Sequence, residues 1–399
     1  MINKMFEANY LPSAQKSYKI KIVAIVAFLA IFGCVMVYSA SYYSAMHTYN
    51  NAYHFLIKQI IGVVLGFVAM FVMSRLDYHL LLKWNKYILI VAFIMLVLVF
   101  IPGVGVENYG AKRWIGLPFF TIQASEVAKF SFIIFCACYF AKGYANVNNF
   151  KSYIPIILVG GLMCLLVILE PNMSITMCIG MVMIIMLFVG GMKKKYLLYL
   201  IIPALLLVPL LIIIEPYRLL RLFAFIDPWA SPQGEGFQLI QSLYALGAGG
   251  LFGVGLFNSR QALQFLPFAE SDFIFSIIGE EFGFVGASIL ILIFVWLFML
   301  IVKVAKRSPD RFGAFLAVGV ACVLAVQVLV NLAVVSGSIP PTGVPLPFIS
   351  AGSSSLIVFM AAIGVVLNIN SQSERIQTKL FELNVNFLSN KLKTKKTFK

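Results

Sequence analysis

The sequence predicts an all-α, polytopic membrane protein with about ten transmembrane helices, and three observations carry that prediction. Of its 399 residues, 61% are hydrophobic and 11% charged, whereas soluble domains run near half apolar and a quarter charged. Apolar runs of roughly 18–20 residues recur along the chain, the length needed to cross a hydrocarbon core of ~30 Å. Lysine and arginine gather between alternate runs, as the preference of positive charge for the cytoplasmic side requires.

Taken in order, the spans are read at 20–41, 54–74, 85–103, 122–141, 153–169, 172–191, 196–214, 273–302, 312–337 and 348–369. The first is too long for a cleavable signal peptide and lacks a small-residue cleavage site, so it is the first membrane helix. Pro171 separates the fifth span from the sixth. With a cytoplasmic N-terminus, the inside segments hold most of the 30 basic residues, including those at 193–195 and 303–311. The net charge of +15 is therefore a topology signal with some attraction to anionic membrane lipid. It does not indicate a nucleic-acid partner. The chain divides into a cytoplasmic N-terminal tail (1–19), a ten-helix membrane domain (20–369) and a basic cytoplasmic C-terminal tail (370–399), read as a solvated, flexible end.

The largest outer loop spans about 215–271 and carries Arg218, Arg221, Asp227-Pro228-Trp229 and glycines from Gly247 to Gly255. Its many Phe, Leu, Trp and Tyr residues predict order, with short helices on the membrane surface. The glycines form no G-x-G-x-x-G, so no dinucleotide site is expected. Ser13-Ala-Gln-Lys16 matches S-x-x-K, but it stands in the N-terminal tail without an accompanying domain. Six cysteines lie inside apolar runs and read as packing residues. The three histidines form no zinc-type pair.

The acids gather outside or within the membrane, so the outer face is the expected working face. In span four, Glu126 and Lys129 are spaced i, i+3 and share one helix face. Each is costly alone in hydrocarbon; the pair reads either as a buried ion pair or as a functional site. Lys112 and Arg113, in the preceding outer loop, are suited to a phosphate, with Trp114 at the interface. Asp272 and Ser271 stand where span eight begins, and either would serve as a helix cap. Capping explains one acid. It does not explain Glu280 and Glu281, about two turns deeper. A polar cleft descending from the outer surface along Asp272, Ser276 and Glu280 would accommodate them. Before span ten, Pro340, Pro341, Pro345 and Pro347 forbid a regular helix. The segment from Gly352 through Ser353 to Ser355 offers hydroxyls and free N–H groups to an anion, or is a plain kinked connector.

Five stretches together resemble the SEDS family of shape, elongation, division and sporulation proteins, the RodA/FtsW/SpoVE group. They are GAKRWI (110–115), QASEVAKF (123–130), Asp227-Pro-Trp229, LPFAESDFIFSIIGEEFG (266–283) and PPTGVPLPFISAGSSSL (340–356). The resemblance runs from span one to about residue 370 and leans to the division or sporulation branch. It implies a peptidoglycan glycosyltransferase that polymerises lipid II on the outer face of the bacterial cytoplasmic membrane, by single inversion with loss of a polyprenyl pyrophosphate. It makes Asp272 the catalytic aspartate and Glu126 and Lys129 the paired acid and lysine of span four. It also implies a class B penicillin-binding protein as partner, further divisome or sporulation proteins, and dependence on a divalent cation, Mg or Mn, with no ligands indicated. The chemistry agrees: a carboxylate takes the proton of the acceptor hydroxyl. Lys112, Arg113, Lys129, Arg221 and Arg260 are the cations suited to the departing pyrophosphate. Ser271, Glu280 and Ser353 complete the expected substrate-binding set. The chain departs from the family pattern at Ala262, Phe268, Glu270 and Ala351, all around the expected pocket. Competing readings are a flippase for a lipid-linked precursor, which needs access from both faces, and a non-catalytic scaffold, which would be indifferent to loss of Asp272. An O-antigen ligase is a third, with different motifs.

Overall fold

The computed structural model describes residues 17–397 apart from 109–110, 117–120, 215 and 264. The Ser13–Lys16 pattern, Gly110 of the GAKRWI stretch and Glu215 lie outside the described residues. Helices α1 (Lys19–Tyr49), α2 (His54–Arg75) and α3 (His79–Leu98) lead into a small sheet of β1 (Gly105–Asn108), β2 (Ala111–Gly116) and β3 (Thr121–Gln123). Then come α4 (Ala124–Ala141), α5 (Ile154–Leu169), α6 (Met173–Val189), α7 (Lys194–Ile214), α8 (Pro216–Ile226) and α9 (Phe237–Gly249). The chain closes with α10 (Ile274–Arg307), α11 (Arg311–Val335) and α12 (Ser353–Thr397).

Each of the ten predicted spans falls on one of these helices. Among the described residues, eight helices are long and apolar enough to cross a membrane, and α6 is a shorter apolar one. The third helix starts at His79, ahead of the predicted residue 85. Its first turns carry His79, Lys83, Asn85 and Lys86, which read as loop. Asp77 starts the helix by accepting the His79 amide at 3.0 Å. The antiparallel sheet was not legible as strands, because each is short and no alternation runs long enough. The loop read as outer contains the short helices α8 and α9. Helix α12 runs through residue 370 without a break, and Ser373 donates to the Arg307 carbonyl at 2.5 Å. The segment read as a flexible tail therefore begins as packed helix.

Helices α4, α11 and α12 form the centre: 72% of the apolar window of each is buried, against 22% and 17% in α2 and α3. The peripheral helices turn Ile57, Val64, Phe71 and Ile90 outward, as lipid-facing helices do. Helix α12 packs along α2 at close range. Gly62 and Gly66 supply a small-xxx-small face there; a β-carbon at Gly62 would stand 3.1 Å from Ser353, and one at Gly66 would collide with Met360.

Helix α10 breaks at Gly283 (φ 66°, ψ −169°). In a continuous helix the Phe284 and Val285 amides would bond to the carbonyls of Glu280 and Glu281. They bond instead to Gly250 (2.9 Å) and Leu251 (3.1 Å). The freed Glu280 and Glu281 carbonyls accept from Val254 (2.9 Å) and Gly255 (3.0 Å). The glycine cluster thus exchanges backbone hydrogen bonds with the broken helix. Only residues without a β-carbon allow this approach: one at Gly253 would collide with the Glu281 carbonyl, and one at Gly249 with that of Gly279.

Candidate functional site

Asp272 sits two residues before α10 and does not cap it. The capping position is Phe273, with no side-chain cap. The segment around Asp272 is held from behind. Ala351 N donates to the Glu270 carbonyl at 2.8 Å, Ser350 Oγ to the Ser271 carbonyl at 2.6 Å, and Asn331 Nδ2 to the Asp272 carbonyl at 2.8 Å. Phe268 enters the segment with a left-handed backbone (φ 55°), an arrangement that costs a non-glycine residue energy and persists where the surroundings impose it. The side chain is left half-buried, facing the proline-rich connector: a β-carbon at Gly343 would stand 3.1 Å from Asp272 Oδ2.

Burial, with the Glu270 carboxylate nearby, pushes Asp272 up to about 7; Arg113 and Arg221 pull against that rise. Arg113 reaches the site because β2 bulges. Trp114 pairs with Val106 and Lys112 with Glu107, so Arg113 is the extra residue at the bulge. A bulge re-aims a side chain, and this one donates to the Pro171 carbonyl at 2.5 Å. The same bulge puts Lys112 and Trp114 at successive pairing positions of β1, with Arg113 at the bulge between them. Arg221, on α8, donates to the Pro341 carbonyl at 3.4 Å and pairs with Glu235 at 3.8 Å. Glu170, directly after α5, is not among the expected site residues. It is 1% exposed, and among the described residues neither of its carboxylate oxygens has a hydrogen-bond partner. Burial raises it to about 8, opposed by Arg113.

Glu126 and Lys129 are not in this pocket. They are 0% and 1% exposed and form a closed network. Lys129 Nζ lies 2.7 Å from Glu126 Oε1 and 2.7 Å from Gln327 Oε1, and Ser355 Oγ donates to Glu126 Oε2 at 3.2 Å. Gln327 then donates to the Pro345 carbonyl at 3.2 Å and Asn331, one turn on, to that of Val344 at 2.8 Å. The ion pair is therefore the root of a chain of contacts that holds the proline-rich connector, and through Asn331 it reaches the backbone of Asp272. Gln327 and Asn331 were missed, although two amides spaced i, i+4 inside an apolar span are themselves a signal.

The cleft predicted below Asp272 is closed. Ser276 is 0% exposed, its hydroxyl 2.7 Å from that of Ser242. Glu280 is buried as an anchor for the loop ahead of α10, accepting from Ser259 Oγ (2.5 Å), Arg260 N (3.0 Å) and Gln261 N (3.4 Å). Glu281 accepts from Ser39 Oγ. Burial demands such partners, which is why these acids lie where donors from other elements converge. Arg260 is exposed, and its backbone amide makes the Glu280 contact. Ser271 flanks Asp272 and works against the rise in its proton affinity, while its hydroxyl donates to the Phe268 carbonyl at 3.4 Å. Ser353 donates to the Lys58 carbonyl at 3.1 Å, at the α2–α12 contact. Of the predicted set, the fold brings together Asp272, Ser271, Arg113 and Arg221. It sets Glu126, Lys129, Glu280 and Ser353 in packing roles.

A carboxyl near neutral proton affinity, beside two guanidinium groups, is equipped to take a proton from a hydroxyl and to receive a phosphate-bearing group. The family model described as cell cycle protein, named for FtsW, RodA and SpoVE, matches residues 20–375. Stage V sporulation protein E of Bacillus subtilis (strain 168) is 38% identical over 354 residues, 88% of this chain and 96% of that protein. The probable peptidoglycan glycosyltransferase FtsW of Geobacter sp. (strain M18) is 39% identical over 358 residues, 90% and 98% of the two chains. Among solved structures, a chain from a peptidoglycan synthase complex that coordinates polymerization and crosslinking superposes with a TM-score of 0.73 at 28% identity, covering 88% of this chain and 97% of that one.

Proposed function

Because the chain belongs to the FtsW/RodA/SpoVE family of cell cycle proteins, we propose that it is a peptidoglycan glycosyltransferase that polymerises lipid II into glycan strands, with Asp272 as general base. The observation that carries this reading is the Asp272 carboxylate itself: released from helix capping, half-buried, and within electrostatic reach of Arg113 and Arg221. The acceptor hydroxyl gives its proton to Asp272, and its oxygen attacks the anomeric carbon of the donor. The bond to pyrophosphate breaks on the opposite side, inverting the centre. Arg113 and Arg221 receive the negative charge of the departing polyprenyl pyrophosphate. The distribution of lysine and arginine supports cytoplasmic termini and an Asp272 site on the outer face of the bacterial cytoplasmic membrane.

Magnesium is held by one or two carboxylates together with substrate phosphates; with Asp272 taking the proton, Glu270, whose carboxylate lies near it, would be the residue to hold the ion. The described residues contain no cluster of three or more metal-binding side chains, so the chain by itself does not fit a metal cage. The likeness to a chain of a peptidoglycan synthase complex supports a crosslinking partner, a class B penicillin-binding protein. The likeness to FtsW and to stage V sporulation protein E supports a role in division or sporulation.

The test is polymerisation of lipid II by the purified protein with its cognate partner, wild type beside Asp272→Asn. The variant should fold and bind the partner while losing on the order of 10²–10⁴ in rate. Equal rates would remove Asp272 from the mechanism. A wild type that makes no strands with any partner or divalent cation would remove the polymerase.

A further inference from the structure

A polar cavity of about 450 Å³ lies at the end of the bundle opposite Asp272, where α1 begins, α2 ends and α12 passes between them. Its Gln372 is about 28 Å along α12 from Ser353, at 1.5 Å per residue. Lys19, Arg75 and Arg375 line it, with Asp77 as the acid. No ion pair joins any of these three cations to a carboxylate among the described residues. Asp77 is already engaged: its Oδ1 accepts from Gln372 Nε2 (2.8 Å) and the His79 amide (3.0 Å), and lies 2.8 Å from His79 Nδ1. Burial works against its ionisation, but these hydrogen bonds outweigh it and hold Asp77 at about 2. Three positive charges thus stand against one negative charge, which is already engaged by Gln372 and His79 rather than by a cation of the cavity.

The floor is built. Asn368 accepts the Tyr78 amide at 3.1 Å and donates to the Ser74 carbonyl at 2.9 Å, tying α12 to the end of α2. Arg75 is steadied over the Phe71 ring, 5.1 Å from its centroid, with its fork still able to meet an anion. Around the cavity the chain is apolar and open: Ile20, Leu76 and Ile376 are 77%, 46% and 44% exposed. A basic cavity at the ends of membrane helices, rimmed by exposed apolar side chains, matches a ligand with an anionic head and a hydrocarbon body.

We propose that this cavity binds the phosphate headgroup of an anionic phospholipid, with the acyl chains lying against Ile20 and Leu76. The phosphate meets Arg75, Arg375 and Lys19, while Asp77 and Gln372 hold the floor beneath it. The site is independent of lipid II chemistry and rests only on the membrane-spanning reading. Full-length protein is placed in nanodiscs of phosphatidylcholine with or without phosphatidylglycerol, and its unfolding temperature and retained lipid (native mass spectrometry) are measured. A parallel arm adds inorganic phosphate to the phosphatidylcholine discs. Phosphatidylglycerol should raise the unfolding temperature and be retained preferentially. Arg75→Gln with Arg375→Gln should lower that preference roughly 25-fold, since each of the two near-surface cations is worth roughly fivefold. The Arg75→Lys, Arg375→Lys pair should keep most of it. Should the double Gln variant fail to fold, Lys19→Gln provides the milder comparison. Equal stabilisation by inorganic phosphate would assign the cavity to a soluble phosphate and overturn the lipid. A wild type with no preference between the two lipids, or a glutamine variant that matches wild type, would overturn the site.

Discussion

At position 272 the sequence offers an acid at a helix start, and the fold declines to use it as a cap. The consequence is a carboxyl whose proton affinity rises from 3.8 to about 7 on folding. A raised carboxyl favours the folded state when it is protonated. That contribution is complete below about pH 4 and is lost as the pH climbs to about 7, where the folded form must accept a buried charge. Thermal unfolding should therefore show Asp272→Asn gaining stability over wild type at pH 8 and little or nothing at pH 4. The polymerisation rate should show the converse, falling as the pH drops through about 7 and the base is neutralised. Lys129 behaves differently. Lys129→Met leaves Glu126 buried without its cation and should cost about 3–5 kcal/mol, read as a large drop in unfolding temperature. Adding Glu126→Leu should recover part of that loss. Recovered stability without recovered activity would show that the pair matters through the connector it holds.

Among the elements, the broken helix α10 and the bulged strand β2 do most to shape the site. Both depend on a local departure from regular structure. Gly253→Ala drives a β-carbon into the Glu281 carbonyl from a backbone at φ 83°, and should lower stability by about 1–3 kcal/mol or more. Gly161→Ala, in α5, meets nothing within 4 Å and should be neutral or gain about 0.5–1 kcal/mol. Matched unfolding curves for the two would show that the exchange of backbone bonds at Gly283 is dispensable. The ten spans were legible because a run of apolar residues is a local signal. The small sheet was not, because its strands are short and its pairing is decided between residues distant in sequence. The glycine cluster was visible as composition, but its purpose lies in a partner helix some thirty residues on.

Across the whole molecule, the distribution of lysine and arginine predicts the orientation. A cysteine at Asn258, in the exposed loop ahead of α10, should react with a membrane-impermeant maleimide from outside the cell. A cysteine at Lys194 should react only after permeabilisation. The reverse pattern would invert the topology and place the Asp272 site in the cytoplasm.

The sequence by itself determined the membrane class, the ten apolar spans, the family, and Asp272 with its arginines as candidates. These follow from composition, from runs of one residue class and from contiguous motifs, all of which are local. Only the tertiary structure decided which charged residues share a pocket. It drew Arg113 and Arg221 toward Asp272 and added Glu170. It withdrew Glu126, Lys129 and Glu280 into closed networks. The reason is physical: a charge inside a membrane protein is stable only where donors or counter-charges converge on it, and those partners come from helices that the sequence sets far apart.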